Sequence, residues 1–192
     1  PQEFHSGDYH YWKNRTEELP VTVYHESVGR FMSEYGKGSY PEFNSVKRFT
    51  APEDWTKGVR PFAKPPGETV PPWKKKGTST YFSRNFNPAK DYPSSLYLSQ
   101  LLQYFVMDHA IEAHRWSKPL NMGTLFWMLD ECWPVGCGSA VDYYGRWKAM
   151  MYLAKRNFND LFVSAKLQEG KLEVFGMNDR LADAEANFIM DI

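Results

Sequence analysis

The stretch "GRFMSEYGKGSYPEF", residues 29–43, places a glutamate at the end of a short apolar segment. Aromatic and β-branched residues favour strands, and glycine-rich stretches end them. The stretch therefore predicts a strand over residues 29–34, with Glu34 at or just past its C-terminal end. On this pattern alone, Glu34 is either a solvated carboxylate at a strand end or a group with a chemical role.

Two helices and a second strand follow this first strand along the chain. The segment "PSSLYLSQLLQYFVMDHAIEAHRWSKP", residues 93–119, has apolar residues at helical spacing and begins with Ser94 or Ser95 as the expected N-cap. The run "GTLFWML", residues 123–129, is short and apolar and predicts a buried strand. A second helix is expected over residues 143–157, with Lys148 outside its apolar face. Buried strands that alternate with helices predict a parallel sheet in an α/β fold.

The remaining segments are predicted to be loops, except at the C-terminal end. Residues 1–28 show little periodicity, and residues 50–93 hold eight of the thirteen prolines, which exclude regular structure. The lysines at 74–76 are expected to be a solvated face. From residue 162 onward, alternation of apolar and polar residues predicts three short antiparallel strands, and with them a second domain that begins near residue 160.

Composition excludes several classes of function. The chain has 23 basic and 23 acidic residues, so its charge gives no reason to expect a nucleic acid or an anionic membrane as a partner. Cys132 and Cys137 are too few for a disulfide framework or a zinc site, and we expect them to be buried free thiols. His109 and His114 lie on different sides of the predicted helix and are expected to be core or surface histidines. The compartment stays open: cytoplasmic or, in a bacterium, periplasmic.

Acidic residues end both predicted strands of the sheet. Glu34 follows the first strand, and Asp130 and Glu131 follow the second. In a parallel α/β barrel the functional residues lie at the C-terminal ends of the strands. Paired carboxylates are the groups that hydrolyse glycosides, and the aromatic content of 17% suits a pocket for sugar rings as well as a large core. The pattern therefore includes glycoside hydrolysis among its interpretations.

A set of five motifs favours that interpretation, because together and in this order they resemble the β-mannosidases of glycoside hydrolase family two. The motifs are "GDYHYW" at 7–12, "RFMSEYG" at 30–36, "SQLLQ" at 99–103, "MGTLFWMLDECWPV" at 122–135 and "DYYGRWKAMMY" at 142–152. The resemblance implies that residues 1–158 are the C-terminal portion of a (β/α)8 TIM barrel. Residues 159–192 would then be the first strands of an immunoglobulin-like β-sandwich domain.

The resemblance also implies roles for individual residues. Glu34 takes the position of the nucleophile of a retaining exo-β-mannosidase, which releases terminal non-reducing β-mannose. His10, Trp12, Trp127 and Asp130 take substrate-binding positions. The implied substrate is a β-mannoside, without a cofactor or a metal, and without a nucleic acid or membrane partner.

The sequence departs from the family pattern in two respects. Met128, Asp130 and Glu131 stand where the family usually has Gln, Asn and Asp. The Asn-Glu dipeptide that carries the family's acid/base is missing, so that residue is expected upstream of Pro1, and the 192-residue chain alone is expected to be inactive. The remainder of the same polypeptide, upstream and downstream, would be its partner. A related exo-glycosidase of the β-glucosaminidase or β-galactosidase type and a non-catalytic sugar-binding remnant stay open as alternatives.

Overall fold

The computed structural model describes residues 7–13, 19–55 and 84–189, and it is a mixed α/β structure, as predicted. The elements are β1 (Tyr9–Tyr11), α1 (Val23–Glu26), β2 (Met32–Tyr35), α2 (Phe43–Val46), α3 (Tyr92–Trp116), β3 (Thr124–Phe126), α4 (Ala149–Asn157), β4 (Leu161–Gln168) and β5 (Lys171–Asn178), with a 3₁₀ turn at Pro52–Asp54. Strands β1, β2 and β3 form one sheet, and strands β4 and β5 form a second. Helix α3 is the longest of these elements.

The first sheet is parallel, which confirms the prediction from the order of elements. Its strand order is β1-β2-β3, so β2 is central. The register pairs Tyr9 with Met32 but His10 with Glu34, so β2 has one extra residue, Ser33, at this point. Such a bulge reverses the usual alternation of side chains. Ser33 and Glu34 consequently both lie partly exposed, between the buried Met32 and Tyr35.

Helix α3 covers one face of this sheet. Tyr9 and Tyr11 of β1 are buried in one cluster with residues of α3, while His10 between them is half-buried and, because strand side chains alternate, lies on the other face. The sheet therefore has a packed face toward α3 and a more open face that carries His10 and Glu34. The cluster also contains Tyr24, Met32, Tyr35, Leu102, Val106, Met107, Ala110, Ile111, Ala113, Ala140, Met150, Leu153 and Ala154.

A partly buried chain of polar side chains joins α3 to β2 and β3. The Thr124 hydroxyl donates to the Tyr35 hydroxyl oxygen at 2.7 Å, and His114 Nδ1 lies 2.8 Å from Thr124 Oγ1. Burial lowers the pKa of His114 to about 3, so the ring is neutral at physiological pH. His114 is thus a core histidine, as expected, whereas His109 is half-buried near the helix surface.

The C-terminal hairpin packs against the end of α3. The Arg115 guanidinium donates to the carbonyl oxygens of Asn157 and Asn159 and forms an ion pair of 3.1 Å with Asp179. The ring centroids of Trp116 and Phe175 are 5.0 Å apart. These contacts attach β4 and β5 to the α/β part. The assignment of residues 159–192 to a sandwich domain stays a prediction.

Several predicted elements differ from the structure. Residues 1–28 were expected to be loop, but they contain β1 and α1, because pairing with β2 organises a strand of three residues that has too few positions to show a period. The prediction of a third antiparallel strand is wrong, since residues 181–189 are exposed and form no regular structure. The strand expected to be buried over residues 123–129 is limited to Thr124–Phe126, and it is not buried, since Leu125 is 55% exposed.

Helix α4 begins six residues later than predicted because Asp142 organises a turn before it. The Asp142 carboxylate accepts from the backbone N–H groups of Tyr144 and Arg146, each at 2.9 Å. An Asx-type turn of this kind competes with helix formation. Lys148, expected outside the apolar face of this helix, precedes the helix and is buried at 2% exposure.

Other predictions concern side chains and the proline-rich segment. Both cysteines are free, but Cys132 is exposed and Cys137 only half-buried, so the prediction of buried thiols is wrong for Cys132. Most of the proline-rich segment, with the lysines at 74–76, lies outside the described residues. In the part of the chain that is described, no helix is both long enough and apolar enough to cross a membrane.

Helix α3 begins one residue before the predicted span, and its N-cap is Asp91 rather than Ser94 or Ser95. The Asp91 carboxylate accepts from the Ser94 backbone N–H at 2.8 Å, and the hydrogen bonding with Ser94 lowers the pKa of Asp91. An aspartate at this position satisfies one of the unpaired N–H groups of the first turn.

We therefore expect Asp91→Ala to lower the melting temperature more than Ser95→Ala does. Because the pKa of Asp91 is lowered in the folded state, the stabilisation is complete above the ordinary aspartate pKa and is lost as the pH falls through the lower folded value. Thermal melts of both variants from neutral to acidic pH measure this. An Asp91→Ala deficit that stays constant down to strongly acidic pH would contradict the assignment of the cap.

Candidate active site

Glu34 lies on the open face of the sheet. Each of its carboxylate oxygens lies near a ring nitrogen, one from His10 in β1 and one from Trp12 just after β1. The Trp12 indole N–H donates to Glu34 Oε1 at 2.8 Å. His10 Nδ1 lies 3.4 Å from Glu34 Oε2. The side chain of Glu34 is 25% exposed, so it is positioned but still accessible. The structure thus brings together three of the five residues predicted from the sequence.

The parallel register explains why these three residues meet. His10 is the partner of Glu34 across the β1–β2 pair, and Trp12 follows two positions later on the same side of the chain. The bulge at Ser33 turns Glu34 toward this face. A one-residue change in the pairing would move His10 away from the carboxylate.

Asp8 and Ser33 extend the cluster, and the sequence analysis did not single them out. The Ser33 hydroxyl donates to Asp8 Oδ2 at 2.7 Å, and His10 Nε2 lies 3.5 Å from the same oxygen. The hydrogen bond from Ser33 lowers the pKa of Asp8, so Asp8 is an ionised carboxylate at neutral pH. The imidazole of His10 therefore lies between two carboxylates. The i, i+2 spacing of Asp8 and His10 in "GDYHYW" was the available signal.

Trp127 lies on the other side of β2, next to Gly36. The Trp127 backbone N–H donates to the Tyr35 carbonyl oxygen at 2.7 Å. A Cβ atom on Gly36 would lie 2.3 Å from the Trp127 carbonyl oxygen and 3.2 Å from Trp12 Cη2. Only glycine fits there, because the Trp12 ring and the Trp127 backbone approach Gly36 closely. Trp127 itself is 48% exposed.

Asp130, like Trp127, has no hydrogen bond or ion pair with Glu34 among the described residues. It is exposed in the segment after β3. Its neighbour Glu131 is buried, and burial raises the pKa of Glu131. The buried Lys148 ammonium donates to the Cys137 carbonyl oxygen at 3.0 Å, and burial lowers the pKa of Lys148 to about 8. The substrate-binding role of Asp130 stays a prediction.

Gln103 of α3 joins the two loops that follow β2 and β3, and it too was not identified as a site residue. The two hydrogens of its side-chain NH2 group are shared among three carbonyl oxygens, those of Lys37 at 2.8 Å, Gly138 at 2.9 Å and Ser139 at 3.2 Å. Its carbonyl oxygen accepts from the Ser39 hydroxyl at 2.6 Å. A polar residue in the buried face of an amphipathic helix was the signal in "SQLLQ".

The cluster combines two carboxylates with an imidazole and an indole ring. Within the described ranges, no group of three or more histidine, cysteine, aspartate or glutamate side chains could hold a metal ion. A fixed and accessible carboxylate beside tryptophan rings can act as a nucleophile toward a sugar that stacks on those rings.

Comparisons with known proteins agree with this chemistry. No protein-family model matches the chain. The chain is 24% identical over 189 residues to the β-mannosidase of Mus musculus, covering 93% of this chain and 21% of that protein. It superimposes with a TM-score of 0.78 on the crystal structure of a β-D-mannosidase from Dictyoglomus thermophilum, with 29% identity, over 94% of this chain and 22% of that one.

A second solved structure supports the fold alone. The exo-chitosanase of Amycolatopsis orientalis gives a TM-score of 0.64 with 17% identity, over 89% of this chain and 21% of that one. The chain spans about a fifth of the length of each of these relatives. Over nearly all of its own length it is similar to β-mannosidases, which confirms the resemblance that its motifs indicated.

Proposed function

We propose that this chain carries the nucleophile of a retaining exo-β-mannosidase and forms one part of a longer catalytic domain. The observation that carries the proposal is the contact of both Glu34 oxygens with nitrogen groups, from Trp12 at 2.8 Å and His10 at 3.4 Å. A carboxylate held in this way on an accessible face has a fixed direction of attack. The similarity to β-mannosidases over the same residues supports it.

The proposed reaction has two steps. A Glu34 oxygen forms a bond to the anomeric carbon of a terminal β-mannoside as the bond to the leaving oxygen breaks, and an acid elsewhere donates a proton to that oxygen. Water then attacks the same carbon, gives its proton to the conjugate base of that acid and releases Glu34 with mannose. Two inversions retain the β-configuration.

The acid/base is proposed to lie outside this sequence. A retaining enzyme needs a second carboxyl group that is protonated at working pH. Asp8 is the second carboxylate of the cluster, but its hydrogen bond from Ser33 lowers its pKa and makes it a poor proton donor. The first strands of a (β/α)8 barrel, of which residues 1–158 would be the C-terminal portion, would supply the acid.

Trp12 and Trp127 are proposed as pocket walls for the sugar, with His10 and Asp130 as further substrate-binding residues. The exposed apolar surface of Trp127 supports such a role, since ring stacking on a sugar is a use for an unburied indole. Because Met128, Asp130 and Glu131 differ from the family pattern, the sugar specificity has to be measured. Assays of the full-length protein with nitrophenyl β-mannoside, β-glucosaminide and β-galactoside distinguish the proposed substrate from the two related ones. Binding of a mannoside without any turnover would indicate a sugar-binding remnant.

Glu34→Ala in the full-length protein should reduce kcat on 2,4-dinitrophenyl β-mannoside by about a thousand-fold or more, because the attacking atom is lost. Added azide should restore turnover and give the α-mannosyl azide, since the small anion fills the space of the carboxylate. Glu26→Ala, which changes an exposed glutamate of α1, is the control and should be fully active. Retention of more than a few per cent of activity in Glu34→Ala without azide would show that another residue attacks, since the expected loss is about a thousand-fold.

Trp12→Phe should lower kcat/KM, because phenylalanine keeps an aromatic ring but lacks the N–H that contacts Glu34. Trp55→Phe is the matched control, since the Trp55 indole donates to Thr50 Oγ1 at 2.9 Å and has no contact with the cluster. Steady-state kinetics and thermal melts of both variants provide the comparison. A lowered melting temperature for Trp12→Phe with unchanged kinetics would make Trp12 a packing residue only.

The 192-residue chain by itself should hydrolyse no 4-nitrophenyl β-mannoside, even though this leaving group needs little proton assistance. The reason is that the proposed acid and most of the pocket are outside the sequence. The assay compares the chain with the full-length protein at equal concentration. Equal turnover of the two would place the acid within these residues and overturn the proposed barrel assignment.

A further inference from the structure

We propose that Gln103 is a positioning residue for Glu34 and Trp127. This inference rests on the proposed function and adds a residue on a helix behind the site. Gln103 does not lie in the Glu34 cluster. It acts through the loop that follows β2, the strand of Glu34, and through the segment that follows β3 and Trp127.

The first observation is the number of contacts made by one buried amide. Gln103 is 1% exposed, and its side chain makes four hydrogen bonds, to the backbone of Lys37, Gly138 and Ser139 and to the Ser39 hydroxyl. A buried amide that satisfies both its donor and its acceptor groups fixes its partners, because any displacement leaves polar atoms unpaired in the interior.

The second observation is where those partners lie. Lys37 and Ser39 follow Glu34 by three and five residues, immediately after β2. The Gly138 carbonyl oxygen accepts at 3.2 Å from the backbone N–H of Met128, the residue next to Trp127. A Cβ atom on Gly138 would lie only 3.0 Å from the Trp127 carbonyl oxygen. The amide of Gln103 therefore holds the backbone three residues after Glu34 and the carbonyl group that pairs with the residue after Trp127.

The third observation is that the two loops also pair with each other. The Ser39 N–H donates to the Cys137 carbonyl oxygen at 3.0 Å, in an isolated antiparallel bridge. One such bridge gives little stability alone. Gln103 reaches both sides of it, and Lys148 donates to the Cys137 carbonyl oxygen from another direction. The Gln103 contacts and the bridge together form the loop clamp, residues 37–39 and 137–139 joined through Gln103.

Loss of these contacts should affect the catalytic step more than the binding of substrate. Displacement of reacting groups by about 1 Å can cost a hundred-fold in rate, because bound substrate and nucleophile leave their near-attack geometry. Loss of the clamp should therefore lower kcat more than it raises KM. Substitution of a residue with only a structural role would lower the stability of the protein without lowering kcat more than it raises KM.

The test uses Gln103→Met, which keeps the length of the side chain and removes its hydrogen bonds. The matched control is Asn121→Met. Asn121 is also a buried amide, 2% exposed, but it donates to the Gly29 carbonyl oxygen at 2.7 Å, before β2 and so at the opposite end of the same strand. Kinetics on 4-nitrophenyl β-mannoside and amide hydrogen exchange are measured on the full-length protein for both variants.

We expect Gln103→Met to lower kcat by about ten- to a hundred-fold with a small change in KM. Exchange should become faster at the amides of Ser39, Met128 and Ala140. Asn121→Met should keep the kcat of the unchanged protein and speed exchange only near Gly29 and Met122. Equal loss of kcat in the two variants, or unchanged exchange at residues 37–40 and 137–140 in Gln103→Met, would overturn the proposal.

Ser39→Ala is the second variant, for use if Gln103→Met does not fold. It removes one of the four hydrogen bonds and should change kcat and loop exchange in the same direction but by less. An unchanged kcat in Ser39→Ala together with unchanged loop exchange would also overturn the proposal. Failure of the proposed function is distinguishable, because an unmodified protein that hydrolyses no glycoside refutes the reaction, while the exchange data still test the clamp.

Discussion

The pairing of β1 with β2 is the constraint on which the rest of the site depends. The shift that sets Tyr9 opposite Met32 but His10 opposite Glu34 places one extra residue in β2. It turns both Ser33 and Glu34 toward the open face, while Met32 and Tyr35 stay in the core. The four residues of β2 therefore have two roles. Met32 and Tyr35 attach the strand to α3, and Ser33 and Glu34 present polar groups on the open face.

The polar cluster on the open face is a chain of alternating acceptors and donors. The Ser33 hydroxyl donates to Asp8, and His10 lies between the carboxylates of Asp8 and Glu34. The Trp12 indole then occupies the other oxygen of Glu34. The groups that orient the carboxylate are the rings of His10 and Trp12 on the neighbouring chain segment rather than long flexible side chains. Folding of the sheet therefore meets most of the entropy cost of ordering them.

The parts that could be predicted from the sequence are those with a long or repeated pattern. Helix α3 has 25 residues and was predicted to within one residue at its start, and the parallel sheet followed from the order of elements. Glu34, His10 and Trp12 were named through motifs of a known family. Strand β1 was missed because three residues carry too little periodicity, and its position depends on β2. The Asp142 turn shortened α4 because a side-chain contact with the backbone replaced the first helical turns.

Gln103 and Asp8 show a different kind of limit. Their contacts join residues that are far apart in the sequence or that belong to different strands, and a single sequence gives no measure of such proximity. A glutamine within an apolar helix face indicates a buried polar contact, but its partners at residues 37–39 and 137–139 are known only once the loops are placed. The residues of the candidate site are therefore of two kinds. Some lie in motifs that can be recognised in the sequence, and others, such as Gln103 and Asp8, can be identified only from contacts in the folded chain.

The most direct test of the central claim is covalent labelling of the full-length protein with a 2-deoxy-2-fluoro-β-mannosyl fluoride. The fluorine at position 2 slows both steps and the fluoride leaving group restores the first, so a glycosyl-enzyme intermediate accumulates. Mass spectrometry of a digest then identifies the labelled residue. We expect one label per chain, on the peptide that contains Glu34. A label on a different carboxylate, in a protein that hydrolyses β-mannosides normally, would contradict it.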